Sequence, residues 1–186
     1  MLTSYKQAFK TWIFTESGVN GHEPIARVLD FVINPQTGIF EALWVQSKKG
    51  IRLISLQDIV VWNSEEILIE DELSILKPKD LPGLKPILNK EVAILGADVW
   101  AQQKHKSLGK VQDFAFDTIS PRILSLVVKS GWWLWGHQRV IPRQRILKIE
   151  KKGITIQDGA SKVNTQPLKT KAKNLPKVPE LDCREK

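Results

Sequence analysis

Three histidines, one cysteine and two recurring aspartates are the residues whose types could do chemistry. His22 and His105 each sit in a polar turn ahead of an apolar run. Neither has a neighbour at metal-ligand spacing, so both read as exposed turn residues. His137 lies among Gly136, Gln138 and Arg139 and reads the same way. Cys183 has no fixed base beside it, which makes it a poor nucleophile. Asp30 and Asp113 each follow shortly after a valine. Paired acids suit general acid–base work, but these two occupy the same place in two copies of one repeat. Their expected role is a hydrogen bond to backbone at a turn or barrel end. The sequence contains no Gly-x-Ser-x-Gly elbow, no phosphate loop and no dinucleotide glycine fingerprint. The expectation is a protein that is not an enzyme and that uses no cofactor and no metal.

The informative cluster is aromatic. Gly131-Trp132-Trp133-Leu134-Trp135-Gly136 places three indoles between two glycines. Trp132 and Trp133 are adjacent, so on an extended strand they point to opposite faces and cannot both enter one core. Lys129, Arg139, Arg143, Arg145 and Lys148 surround the run. Indoles beside cations suit a protein hot spot, a membrane interface or base stacking. Trp132, Trp133, Trp135, Arg139, Arg143 and Arg145 are therefore the candidate partner-binding residues. The competing reading has the hairpin folding over its own barrel or sealing two barrels together.

An internal repeat must position these residues. Residues 26–47 align with 109–130 without a gap, six of 22 positions being identical. Residues 53–71 align with 140–158, again with six identities, in 19 positions. The offset grows from 83 to 87, so the second copy carries four extra residues between Ser130 and Val140. Each copy reads as β. Apolar runs are split by Asn34-Pro35-Gln36-Thr37-Gly38 in one copy and Asp117-Thr118-Ile119-Ser120-Pro121 in the other. Ile67 and Ile69, like Ile154 and Ile156, alternate with other residues at the period of a half-buried strand. Copies of ~75 residues are near the lower limit for independent cores, so the two are expected to pack on each other. Lys77-Pro78-Lys79-Asp80-Leu81-Pro82-Gly83 joins them and should stop helix and strand alike. A short helix is expected within residues 4–12, with Ser4 as cap and Tyr5, Ala8, Phe9 and Trp12 on one face.

Charge is uneven. Residues 1–80 hold 8 basic and 11 acidic side chains, residues 81–159 hold 13 and 6, and residues 160–186 hold 7 and 3. The chain totals +8. A basic second half can attract nucleic acid, an anionic membrane or an acidic protein. Residues 160–186, with six lysines and three prolines, are too poor in apolar groups to fold alone. Lys169, Lys171, Lys173 and Lys177 make this tail a candidate electrostatic tether to an anionic membrane. No apolar run approaches the ~18 residues of a membrane span, and the start lacks a secretory core. One cysteine excludes a disulfide framework. The expected compartment is the cytoplasm, with peripheral attachment to the cytoplasmic face of a membrane.

Leu108-Gly109-Lys110-Val111-Gln112-Asp113-Phe114, the glycine-bracketed apolar hairpin and Val140-Ile141-Pro142 together resemble the PRC-barrel family. That family includes the cytoplasmic barrel of the photosynthetic reaction-centre H subunit and the C-terminal barrel of the ribosome-maturation factor RimM. The first copy is more divergent: Pro24-Ile25-Ala26-Arg27-Val28 stands at the opening and Leu53-Ile54-Ser55 lacks the proline. RimM's tyrosine-rich signature is absent, and the chain's one tyrosine is Tyr5. The resemblance implies a mainly all-β chain of two tandem small PRC-like barrels with short helical turns and a disordered basic C-terminal tail. The expected units are 1–80, the first barrel with its N-terminal helix; 81–159, the second barrel; and 160–186, the tail. It implies a non-catalytic protein-binding or assembly module docking on a protein complex at a membrane surface, photosynthetic or other. The alternative is a RimM-like ribosome-maturation or RNA-associated factor, with nucleic acid ranked second as a partner.

Overall fold

The computed structural model describes residues 2–16, 23–63, 65–103, 106–131 and 137–157. Cys183 and the basic tail lie outside them, as do His22 and His105. The chain is mainly β. It opens with β1 (Leu2–Ser4), α1 (Tyr5–Ala8), β2 (Trp12–Thr15), β3 (Ala26–Ile33), β4 (Phe40–Ser47), β5 (Gly50–Ser55), β6 (Ile59–Trp62) and β7 (Glu66–Ile69). Three 3-10 turns and α2 (Lys85–Leu88) follow. The second half contains β8 (Asp98–Ala101), β9 (Ser107–Asp117), β10 (Arg122–Ser130), β11 (His137–Pro142), β12 (Ile146–Glu150) and β13 (Gly153–Ile156).

The repeat is visible in the topology. One sheet runs β5-β4-β3-β2-β7-β6 and the other β11-β10-β9-β8-β13-β12. These are the same order six strands apart. Each contains one parallel pair, β2 with β7 and β8 with β13, among antiparallel neighbours. Even the irregularities recur. Leu29 and Gln112 are the extra residues of matching bulges, Glu41 and Leu124 of a second pair, and Val60 and Leu147 of a third. A bulge bends and twists a strand, so shared bulges imply shared curvature. The two sequence offsets also find their cause. Ser47 pairs with Gly50 across a two-residue turn, whereas Ser130 pairs with His137. The four extra residues thus fall in the β10–β11 connection.

The two sheets share one core. Phe31 and Phe40 from the first half meet Phe116 from the second at ring-centroid distances of 5.2 and 4.9 Å. Trp62 lies 5.5 Å from Phe116, and Tyr5 touches Phe31 and Phe114 at 5.5 and 5.1 Å. These offset and edge-to-face pairings are the favourable ones for aromatic rings. The central turns of the two copies meet as well. Phe40 N–H donates to the Pro121 carbonyl at 2.8 Å, and Ile123 N–H donates to the Gly38 carbonyl at 3.1 Å.

The N-terminus crosses between the halves, which the repeat does not foreshadow. β1 pairs antiparallel with β9, joining the second sheet. Ser4 then caps α1 as expected, its hydroxyl accepting from Gln7 N–H while Gln7 returns a carboxamide oxygen to Ser4 N–H. The helix is shorter than the sequence suggests. Lys10 adopts a left-handed φ of 68° and Trp12 already opens β2.

The connecting segment folds onto the first sheet. Pro78–Asp80 and Pro82–Leu84 form 3-10 turns rather than helix or strand, consistent with their prolines. Leu81, Leu84, Ile87 and Leu88 pack on Val32, Ala42 and Leu53, which form a second small core on the outer face of β3, β4 and β5.

Candidate functional site

The aromatic run sits at the β10–β11 connection, the loop the first copy lacks. Gly131 opens it in a left-handed conformation, φ 88°, which glycine adopts without a side-chain penalty. Trp132, Trp133 and Trp135 themselves lie outside the described residues. At the root, Ser130 Oγ donates to the His137 carbonyl at 3.2 Å, and His137 is exposed. Arg139 is half-buried, two residues along β11 and paired with Val128. Below the root lies a cavity of about 540 Å³. Lys110, Lys129 and Gln112 line it, and Lys110 is paired with Asp98 at 3.1 Å.

Not all the arginines gather there. β11 spans six residues, about 20 Å at the usual strand rise, and Arg143 and Arg145 follow its far end in a 3-10 turn. Arg143 is occupied inside the molecule. Its guanidinium donates to the Thr37 carbonyl and the Ile146 carbonyl, both at 3.1 Å, and lies against Gly38. It ties the second half to the central turn of the first. Arg145 also interacts within the chain, and its carbonyl accepts from Gln157 N–H at 2.9 Å. Of the six candidates, Arg139 is thus the described residue nearest the aromatic loop.

The recurring aspartates serve the backbone. Asp30 Oδ1 accepts from Phe31 N–H at 2.8 Å. Asp113 Oδ1 accepts from Phe114 N–H at 2.9 Å and from Lys6 N–H at 3.2 Å, so it also holds the start of α1. Each carboxylate stands one residue past a bulge. Asp30 keeps an open flank to solvent, yet lost hydration raises its pKa despite the opposing Phe31 hydrogen bond. Among the described residues no group of three or more His, Cys, Asp or Glu side chains is placed to hold a metal ion.

Tyr5 offers a clean spectroscopic test of this packing. Its pKa is pushed up to about 12 from 10.0, first by burial and then by the Asp30 charge. Folding therefore disfavours tyrosinate, and stability should fall as pH rises from 10 through about 12. Because the chain has one tyrosine, tyrosinate absorbance reports this group alone. The expected midpoint lies well above 10; titration of the folded protein at the ordinary value would contradict the burial of Tyr5.

The opening motif gains a physical explanation from the same region. Gly109 has φ 120°, and a Cβ there would lie 2.0 Å from the Lys129 carbonyl oxygen. Only glycine lets β9 pass this close to β10. Residues 93–163 match the family model of the PRC-barrel domain. The PRC-barrel match thus covers the second half, including Gly109, the aromatic loop and Val140-Ile141-Pro142. PRC-barrel domains are in general non-catalytic modules. In the first half, outside the PRC-barrel match, Ala26 stands at the position of Gly109, with its φ outside the left-handed region. No curated protein matches the chain.

Sequence reasoning missed one feature altogether, the groove between the connecting segment and the first sheet. Leu81, Leu84, Ile87 and Leu88 recur at spacings of three and four, a signal masked by the intervening prolines and lysines.

Proposed function

We propose that the chain is a protein-binding assembly module that docks on a protein complex at a membrane surface, photosynthetic membranes being the first place to look. The observation that carries this reading is the aromatic loop. Three tryptophans occur in the one connection that the second copy lengthens, at the tip of an otherwise repeated sheet. Indoles in a connection that varies while the topology is kept suit a contact surface. Trp132, Trp133 and Trp135 supply the anchors, and Arg139 supplies charge near the loop. Arg143 and Arg145 stand at the far end of β11, away from the loop, and Arg143 acts as an internal tie. The basic tail adds a tether of ~1 kcal/mol per lysine near an anionic leaflet.

The family likeness to the reaction-centre barrel supports the photosynthetic version by analogy of fold alone. No helix among the described residues is long and apolar enough to cross a membrane. In this reading, attachment runs through this surface and tail. The competing RNA or ribosome reading draws on the basic second half.

Capture of the tagged protein after nuclease treatment separates the two. Membrane and soluble fractions are analysed apart by mass spectrometry. Enrichment of a membrane complex, resistant to nuclease, is the expected result. Recovery of ribosomal particles that dissociate steeply with salt would overturn it in favour of the RNA reading.

A further inference from the structure

The groove above the first sheet has the character of a ligand site. It encloses about 630 Å³ between the outer face of β3–β4 and the segment that carries α2. A volume of this size falls within the range of small-molecule pockets. Val32 and Trp44 line it from the sheet, and Ile87 and Leu88 from the segment. Lys79 and Lys85 line it as well and are exposed. Among the described residues neither lysine has a carboxylate partner. Glu91, also in the lining, is bound by Lys151, so its charge is already answered. An apolar cleft bordered by two unanswered cations and one neutralised acid complements an apolar body with one negative head.

We propose that this groove binds a free single-chain aliphatic carboxylate, its chain against Val32, Trp44, Ile87 and Leu88 and its head between Lys79 and Lys85. Aliphatic walls suit an acyl chain, and the Trp44 indole gives it a flat surface to lie on. The site belongs to the connecting segment and not to the repeat. In the second copy the positions matching Ala42 and Trp44 are Ser125 and Val127, a smaller and more polar pair.

Dodecanoate, below its micellar range, is the probe. Calorimetry on the full chain should give a Kd on the order of 0.1 mM, as expected for a ligand of about 14 heavy atoms at modest efficiency. The indole N–H resonance of Trp44, assigned with Trp44→Phe, should shift on titration. Dodecyltrimethylammonium, with the same chain and the opposite charge, should bind at least tenfold more weakly. The surface double variant Lys79→Glu/Lys85→Glu should weaken dodecanoate at least tenfold with an unchanged melting temperature. Asn89→Trp, placed to fill the groove from an exposed position, should abolish the Trp44 shift. Absence of dodecanoate binding overturns the proposal, as does equal binding of both amphiphiles or indifference to the lysine pair. Binding to phosphatidylglycerol vesicles without binding to free dodecanoate also overturns it.

Discussion

Phe116→Ala is expected to lower the unfolding free energy by about 3–5 kcal/mol, the range for removing a fully buried phenylalanine from a core that cannot collapse. Phe116 has no exposed surface, and its ring meets Phe31, Phe40 and Trp62, all from the other half of the chain. The alanine would open a cavity where the two sheets join. The loss should therefore appear as one cooperative transition shifted to lower denaturant, seen alike by indole fluorescence and by far-ultraviolet dichroism. Separate transitions for the two halves, with one unchanged by the substitution, would show that they hold independent cores. The clustering of six aromatic rings across the boundary argues against that outcome.

Gly109→Ala is the second large effect. At φ 120° an L-residue stores about 1–3 kcal/mol of backbone strain. The added methyl also meets the Lys129 carbonyl at 2.0 Å, an atom fixed within the β10 ladder, so the strands must part. Overpacking of this kind typically adds about 1–3 kcal/mol. The combined expectation is a loss of about 2–6 kcal/mol. Gly38→Ala is the control. There the φ is 70°, and the nearest atom is Arg143 Nε at 2.9 Å, on a side chain rather than on ladder backbone. Its cost should stay near 1 kcal/mol. If chemical denaturation ranks the two substitutions equally, close strand approach at Gly109 is not what the motif glycine provides.

Much of this architecture was legible in the sequence because repeats amplify weak signals. Asp30 and Asp113 share one repeat position, read from the sequence as a hydrogen bond to backbone, and each accepts from the next residue's N–H beside a matching bulge. The growth of the offset located the lengthened hairpin to within a few residues. What stayed hidden came from contacts that break the repeat. β1 reaches across to β9 although Leu2-Thr3-Ser4 is too short to show alternation. The connecting segment reads as a linker because Pro78, Pro82 and Gly83 interrupt regular elements, yet its leucines still find a sheet face to cover. Arg143 and Arg145 looked like part of one basic patch with Arg139. Sequence distance does not reveal that a strand separates them, or that the Thr37 carbonyl already holds Arg143.

The site itself was legible by composition rather than geometry. Tryptophans between glycines stand out in any reading, and the structure adds where the loop is rooted. The central claim is that this loop binds a partner. Quantitative capture with Trp132→Ala/Trp133→Ala/Trp135→Ala against the unaltered chain, at equal melting temperature and expression, tests it most directly. The account predicts that the membrane-fraction partner recovered with the unaltered chain falls at least tenfold with the triple variant, as expected when anchors worth about 2 kcal/mol or more are removed. Equal recovery of the same partner by the folded triple variant would contradict it and return the indoles to a packing role.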